Sequence, residues 1–191
     1  MNGLHARQKA PTRKKSLRVE RAQTGVRIEK RLLATLNAIA REEKQELGWV
    51  IEDMALHAFE GHGACAWGGE TLKRIQRISK EEGLHYGPHG CYSFQERGGP
   101  ASLRYSGSRP QPSLPIQRAQ AGFKLEKRLL RVLKAIAEGQ DATLGQSIEE
   151  IALHQLAGVD AFGKETIRKI QLLKKVYDMD YDAHDNYRFR E

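Results

Sequence analysis

Two short segments of the chain carry polar side chains or glycine at every second position. The residues at these positions are Gln23, Gly25 and Arg27 in the first segment and Gln120, Gly122 and Lys124 in the second. Apolar residues such as Val26 and Phe123 lie between them, which is the alternation of a strand with one buried face. Arginine and lysine can hydrogen-bond guanine, glutamine can hydrogen-bond adenine, and glycine permits close approach of a base pair or phosphate. One face of each segment therefore has the residue types that could read base edges.

A helical pattern follows each segment, and the whole arrangement occurs twice. One helical stripe consists of Leu32, Leu33, Leu36, Ile39 and Ala40, and its repeat consists of Leu129, Leu130, Leu133, Ile136 and Ala137. Residues 21–64 align with 118–161 at a shift of 97, with 22 of 44 positions identical. Residues 67–96 align with 162–191 at a shift of 95, with 11 of 30 identical. These matches indicate a tandem duplication.

Each repeat continues with two more helices and an aromatic tail. A broad apolar face from Val50 to Phe59 predicts a second helix, which Gly61, or Gly158 in the second repeat, would end. Third helices are predicted over 70–80 and 165–176, and we expect the aromatic tails to pack them onto the core. The chain divides into a disordered basic arm (1–20), a first unit (21–96), a flexible Gly/Pro/Arg linker (97–117) and a second unit (118–191).

Charge and composition narrow the classes of protein. The net charge is +8, to which residues 1–20 contribute +5 and residues 97–117 contribute +3. Basic arms either contact nucleic acid or keep a protein in solution, and both interpretations stay open. Cys65 and Cys91 have no counterparts in the second unit, which argues against a disulfide framework. No apolar run approaches the roughly 18 residues of a membrane span, so we expect a cytoplasmic protein without a membrane partner.

Strand, helix, turn and helix in this order resemble the ribbon-helix-helix unit of Arc/MetJ-type DNA-binding proteins. The resemblance rests on Gly25-Val-Arg-Ile, on Leu32-Leu33-x-x-Leu36 with Ile39-Ala40, and on Ile51-Glu-Asp-Met-Ala55. It covers residues 23–60 and 120–157, although Glu29 and Glu126 stand where many family members carry proline. The resemblance implies a mainly α fold with a short two-stranded antiparallel ribbon. Because the unit is duplicated and a third helix outside the resemblance follows each copy, we expect a tandem ribbon-helix-helix pseudo-dimer with an extra C-terminal helix in each unit.

The strand of each unit needs a partner from outside that unit, because its backbone donors and acceptors must be paired. Pairing of the two units within one chain is the simplest assembly. A homo-oligomer, in which each unit pairs with a unit of another chain, is the alternative. Because Val26 and Phe123 and the outward residues differ between the units, we expect a DNA site that is imperfectly palindromic or lacks dyad symmetry.

The resemblance implies sequence-specific binding of double-stranded DNA, with the ribbon in the major groove, and a role in transcriptional regulation. We assign base reading to Gln23, Gly25, Arg27, Gln120, Gly122 and Lys124. We assign phosphate contacts to Arg21, Lys30, Arg31, Arg118, Lys127 and Arg128, since each ribbon segment holds four cations against one acid.

The alternative function is a protein-interaction or structural module, in which the ribbon only dimerises and the C-terminal helices bind a partner. Residue types that bind metals occur in the first unit, at His62, Cys65, His85, His89 and Cys91. They lack the paired spacing of a metal site, so we expect no metal or cofactor. His57 and His154 are predicted to complement the C-terminal ends of the second helices. Glycine-rich phosphate loops and nucleophile elbows are absent from the sequence, which argues against an enzyme.

Overall fold

The computed structural model describes residues 17–61, 69–88, 94–96, 114–183 and 189–190. The arm contributes β1 (Leu17–Arg18), and the first repeat contributes β2 (Arg21–Glu29), α1 (Lys30–Glu42), α2 (Leu47–Phe59), α3 (Gly69–Glu81) and β3 (Phe94–Glu96). The linker contributes β4 (Leu114–Ile116), and the second repeat contributes β5 (Arg118–Glu126), α4 (Lys127–Gly139), α5 (Leu144–Ala157), α6 (Lys164–Val176) and β6 (Phe189–Arg190). The described residues are mainly helical, and all six helices begin and end close to their predicted positions. None of these helices has both the length and the apolar character needed to cross a membrane.

Strands β2 and β5 form an antiparallel ribbon, which confirms the predicted two-stranded sheet. At its centre Gly25 lies opposite Gly122, and these are the two glycines that the repeat alignment makes equivalent. The pairing is therefore symmetric, because exchanging each residue for its counterpart in the other repeat gives the same pairs. The predicted alternation is also confirmed, because Val26 and Phe123 are buried while the glycines are exposed.

Each ribbon strand passes directly into a helix through a glutamate. The Glu29 side chain accepts a hydrogen bond from the Leu32 amide at 2.8 Å, and Glu126 accepts one from the Leu129 amide at 2.8 Å. A carboxylate in this place satisfies one of the unpaired amides of the first helical turn and complements the helix dipole. Proline, which many members of the resembled family carry here, has no such acceptor.

The second helices α2 and α5 pack against each other beneath the ribbon and supply much of the core. Helix α5 begins with a reciprocal capping box between Thr143 and Gln146, whereas Glu46, the residue before α2, makes no side-chain cap. Gly158 ends α5 in the left-handed conformation, with φ of 72°, and Gly61 adopts the same φ just after α2. Both glycines therefore occupy the positions predicted for helix termination.

The third helices connect the two repeats. Helix α3 packs on α1 of its own repeat and on α5 of the other, while α6 packs on α4 and on α2. The Gln171 side chain donates to the Phe59 carbonyl oxygen at 3.2 Å, and the rings of Phe59 and Phe162 lie 6.4 Å apart. Packing of these helices thus adds contacts between repeats beyond those of the ribbon.

The tails also cross from one repeat to the other. Strand β3 pairs in parallel with β4, and β6 pairs in parallel with β1, so each tail reaches the segment that precedes the other repeat's ribbon strand. Phe94 is buried, with its ring edge-on to Tyr86 at 5.0 Å. Residues 17–18 and 114–116, predicted as parts of the arm and the linker, form strands because the tails supply their hydrogen-bond partners. Residues 1–16 and 97–113 of the predicted arm and linker lie outside the described residues.

Candidate nucleic-acid interface

The face of the ribbon that points away from the helices contains the six residues predicted to read bases. The register places Arg27 opposite Gln120 and Lys124 opposite Gln23, with the two glycines between these pairs. All four side chains are exposed. The structure therefore brings these residues onto one surface, with a glutamine and a cation together at each end.

The glutamine side chains lie close to the central glycines. A β-carbon built on Gly25 would lie 3.0 Å from Gln120 Nε2, and one built on Gly122 would lie 3.4 Å from Gln23 Nε2. Glycine therefore gives the carboxamides room at the centre of the ribbon. Amide groups that can both donate and accept hydrogen bonds lie at this centre, with a cation beside each of them.

The N-termini of the second helices flank the two edges of the ribbon. A β-carbon on Gly48 would lie 2.1 Å from the Lys124 carbonyl oxygen, and one on Gly145 would lie 2.3 Å from the Arg27 carbonyl oxygen. Only glycine permits such close approach of a helix to a strand. At the α5 edge a cleft of about 260 Å³ is lined by Arg27, Thr143 and their neighbours. Helix N-termini, which favour anions, thus lie beside the exposed cations.

The six residues predicted to contact phosphate fall into three pairs, of which Arg21 and Arg118 are the first. Arg118 donates from Nε and Nη2 to the two carboxylate oxygens of Glu149, both at 2.9 Å. Arg21 Nη1 donates to Glu52 Oε1 at 3.0 Å, and its Nη2 lies 2.9 Å from Oε2. The Arg118 side chain is only 5% exposed and that of Arg21 is 14% exposed. Both guanidinium groups bind buried carboxylates, and their contact with phosphate stays a prediction.

Glu52 and Glu149 also accept hydrogen bonds from the last residues of the two ribbon strands. The amide of Glu126, which lies opposite Arg21 in the ribbon, donates to Glu52 at 2.5 Å. The amide of Glu29, opposite Arg118, donates to Glu149 at 2.7 Å. Each second-helix carboxylate therefore binds both strands at one end of the ribbon. Here we call each such arrangement a carboxylate clamp.

Burial changes the ionisation of the clamps. It raises the pKa of Glu52 to about 7, against the opposing effect of the Arg21 guanidinium and the Glu126 amide. Burial likewise raises the pKa of Glu149, while Arg118 and the Glu29 amide favour the charged form. These carboxylates hold the ribbon in place from inside the protein and are not part of its exposed surface.

Arg31 and Arg128 form the second pair. Arg31 Nε donates to Glu29 at 3.4 Å and Arg128 Nε donates to Glu126 at 3.0 Å. Their guanidinium carbons lie 5.7 and 4.9 Å from the ring centres of Tyr86 and Tyr181, respectively. These distances allow cation–π attraction. Each arginine remains partly exposed, but a carboxylate already balances much of its charge.

Tyr86 and Tyr181 also bind the two glutamates that cap the first helix of each repeat. The Tyr86 hydroxyl donates to Glu29, and the Tyr181 hydroxyl donates to Glu126. Burial, followed by the hydrogen bond to the neighbouring carboxylate, raises the pKa of both tyrosines. The first residues of each tail therefore connect to the junction between ribbon and first helix.

Lys30 and Lys127 form the third pair, and they differ from each other. Lys30 is exposed at the start of α1. Lys127 Nζ donates to Glu20 at 2.8 Å, in an ion pair whose side chains are 42% and 74% exposed. The two lysines are equivalent in the repeat, but the residues beside them differ. Glu20 lies beside Lys127, whereas its counterpart beside Lys30 is Gln117.

Sequence reasoning missed the structural roles of Glu52, Glu149, Tyr86 and Tyr181. The sequence places both glutamates at equivalent positions within the apolar second helices, directly after Ile51 and Ile148. A carboxylate repeated on a helix that is otherwise mostly apolar is a sign of a buried ion pair. The choice of arginine as partner requires the tertiary structure, because several arginines of the chain could fill that role.

The remaining candidate residues form no site of their own within the described ranges. His57 and His154 donate from Nδ1 to the carbonyl oxygens of Asp53 and Glu150 at 2.8 and 2.7 Å. No cluster of three or more potential metal ligands occurs among the described residues, and four of the metal candidates, His62, Cys65, His89 and Cys91, lie outside them. No family model, curated protein or solved structure matches this chain. A function must therefore be argued from its own residues.

Proposed function

We propose that this protein binds double-stranded DNA in a sequence-specific manner, by placing the β2·β5 ribbon in the major groove. The observation that carries the proposal is the exposed ribbon face, where Arg27 and Lys124 each lie opposite a glutamine. These residue types make the most specific contacts to guanine and adenine. A pseudo-dimer of two ribbon-helix-helix units within one chain, acting in transcriptional regulation, is the form of protein that fits this surface best.

The dimensions of the ribbon support the proposal. Two strands lie about 4.8 Å apart, and the major groove of B-DNA is about 12 Å wide, so the ribbon fits between the phosphate backbones. The N-termini of α2 and α5 flank the ribbon edges, with Gly48 and Gly145 in contact with the strands. In a groove complex these helix ends would lie nearest to the phosphates on either side.

The proposed roles of the predicted phosphate-binding residues differ among the three pairs. Arg21 and Arg118 position the ribbon through the carboxylate clamps, because their guanidinium groups bind Glu52 and Glu149. Lys30 supplies exposed positive charge at one end of the ribbon, whereas the charge of Lys127 at the other end is balanced by Glu20. Arg31 and Arg128, which are balanced by glutamates and stacked on tyrosines, would contribute less to the salt dependence of binding.

The proposal is tested by comparing DNA binding of the wild type with that of Arg27→Ala/Lys124→Ala, over a series of salt concentrations. Duplexes selected from a random pool and duplexes of random sequence are both measured. We expect the double variant to lose affinity for both kinds of DNA and to lose most of its preference for selected duplexes. Each base contact is worth about 1–3 kcal/mol, or roughly 5-fold to 160-fold in affinity.

A matched control is Lys73→Ala/Lys169→Ala, which removes the same charge from exposed positions on α3 and α6. This variant should keep its preference for selected duplexes. Two results would contradict DNA reading by the ribbon. One is no affinity of the wild type at low salt, and the other is equal behaviour of the two double variants.

A protein-interaction function is the second candidate, and one surface feature favours it. Leu172 and Val176 on α6 are 62% and 71% exposed, one helical turn apart. The aligned positions of α3 hold Arg77 and Glu81, which form an ion pair instead. If this surface carries the function, Leu172→Ser/Val176→Ser would abolish biological activity while Arg27→Ala/Lys124→Ala would leave it intact.

A further inference from the structure

We propose that the two ends of the ribbon hold DNA unequally, so that a duplex binds in one preferred orientation. This inference rests on the proposed function. Here the Arg27 end means Arg27, Lys30, Gln117 and Thr143, and the Lys124 end means Lys124, Lys127, Glu20 and Glu46. The four residues of one end are the counterparts of the four residues of the other in the repeat.

The first difference lies beside the lysines. The Lys127 amide donates to the Glu20 carbonyl oxygen and the Lys30 amide donates to the Gln117 carbonyl oxygen, both at 2.8 Å. These equal contacts show that Glu20 and Gln117 occupy equivalent places. The hydrogen bond and charge of Lys127 lower the pKa of Glu20, which therefore carries a full negative charge at neutral pH. The amide of Gln117 carries none.

The second difference lies at the helix N-termini beside the ribbon edges. Glu46 precedes the first turn of α2, is exposed and makes no side-chain cap. Its helix contacts the ribbon at Lys124, through Gly48. Thr143 precedes α5 and accepts a hydrogen bond from the Gln146 amide at 3.2 Å. A neutral hydroxyl therefore stands beside Arg27, where the other end has a carboxylate.

Both differences make the Lys124 end less positive than the Arg27 end. The two cations of the Lys124 end are cancelled by two carboxylates, whereas the two cations of the Arg27 end give a charge of +2. Two further charged residues lie next to the Lys124 end. Arg131, whose charge also lowers the pKa of Glu20, has Ala34 as its counterpart, and Asp180, which pairs with Arg128 at 3.1 Å, has His85 as its counterpart. These two charges offset each other, so the contrast between the ends remains. All these groups lie at or near the surface that would face phosphate, where a charge acts over a screening length of about 10 Å in 0.1 M salt.

Unequal charge has a direct consequence for binding. Phosphates beside the Arg27 end meet net positive charge, whereas those beside the Lys124 end meet none. The Arg27 end should therefore supply most of the electrostatic affinity. The Lys124 end would contribute mainly through the base contacts of Gln23 and Lys124.

The first test compares two variants that each remove the difference between the ends, one by making the Lys124 end more positive and the other by making the Arg27 end less positive. Glu20→Gln/Glu46→Gln removes the carboxylates from the Lys124 end, and Gln117→Glu/Thr143→Asp introduces carboxylates at the Arg27 end. Aspartate keeps the capping oxygen of Thr143. In titrations of a labelled random duplex at about 0.1 M salt, we expect the first variant to bind roughly 5-fold to 10-fold more tightly than the wild type. The second should bind more weakly by at least as much.

The matched control is Glu70→Gln/Glu165→Gln, which changes the net charge as the first variant does but on the third helices, where both glutamates are exposed. It should leave affinity within about 2-fold of the wild type. Thermal unfolding followed by circular dichroism verifies that all variants are folded. If Glu20→Gln/Glu46→Gln affects affinity no more than this control, the inference is refuted.

The second test measures orientation directly. Neutral methylphosphonates replace the phosphates of one half or the other of a duplex selected from a random pool. For the wild type we expect the two substitutions to differ at least 5-fold in their effect on affinity, and for Gln117→Glu/Thr143→Asp we expect this difference to vanish. Equal effects in the wild type would overturn the inference but leave DNA binding standing. A wild type that binds no duplex at low salt would overturn the proposed function and the inference together.

Discussion

Replacing Gly48 with alanine tests the contact between the second helices and the ribbon. The new methyl group would lie 2.1 Å from the Lys124 carbonyl oxygen. Carbon and oxygen atoms in close contact normally stand about 3.3 Å apart, so α2 must retreat from the ribbon by about 1 Å. The oxygen belongs to the backbone of a paired strand and cannot move aside as a flexible side chain would.

The retreat also strains a carboxylate clamp, which determines the size of the effect. Glu52 lies on the same helix and accepts from Arg21 at 3.0 Å and from the Glu126 amide at 2.5 Å. Overpacking costs about 1–3 kcal/mol, and weakening a buried hydrogen bond to a charged group costs about 1.5–3 kcal/mol. Alanine returns about 1 kcal/mol through its higher helix propensity. The free energy of unfolding should therefore fall by about 1.5–5 kcal/mol.

Urea unfolding followed by far-UV circular dichroism measures this change. The control is Gly139→Ala at the end of α4, where a β-carbon would have no neighbour within 4 Å. This substitution should leave stability unchanged or raise it by up to about 1 kcal/mol. If Gly48→Ala and Gly139→Ala agree within about 0.5 kcal/mol, the close approach of α2 to the ribbon is refuted.

Three further predictions concern the carboxylate clamps and the crossed tails. Glu149→Ala leaves the buried Arg118 guanidinium without its carboxylate and should reduce the free energy of unfolding by about 3–5 kcal/mol; a loss below about 1 kcal/mol would argue against the clamp. Burial raises the pKa of Glu52 from 4.5 to about 7, so its contribution to stability is present below the lower value and is lost as the pH rises through the higher one, by about 3 kcal/mol. The urea concentration at the unfolding midpoint should therefore decrease as the pH rises from about 5 to about 8. This decrease should be smaller in Glu52→Gln, and equal decreases in the variant and the wild type would contradict the assignment. Phe94→Ala empties a buried site in the tail and should cost about 3–5 kcal/mol, measured by thermal unfolding against the wild type.

The elements of the fold follow from short stretches of sequence. The alternation around Val26 and Phe123 predicts the strands, and the leucine stripes that follow predict the first helices, because these periods depend on a few neighbouring residues. Gly61 and Gly158 were predicted to end the second helices for a reason equally local, their access to positive φ. The two-stranded ribbon followed from the repeat, since a lone strand requires a partner.

Contacts over long sequence distances could not be predicted in this way. The clamps join Glu52 to Arg21, 31 residues away, and Glu149 to the Glu29 amide, 120 residues away. Six basic residues near the ribbon looked alike in the sequence, but the structure places Arg21 and Arg118 in buried ion pairs. The partners of the tail strands also lie far away in the sequence, just before the ribbon strand of the other repeat. Such choices depend on which groups meet after the chain has folded.

By itself, the sequence determines that this protein is a duplicated strand-and-helix unit with glutamine, glycine and a cation on one face of each strand. That information is local, because side-chain direction follows the period of the strand. Only the tertiary structure decides that each glutamine lies opposite a cation and that Glu20 and Glu46 gather at one end of the ribbon. The reason is that antiparallel pairing and helix packing bring together residues about a hundred positions apart, and their charges then combine on one surface.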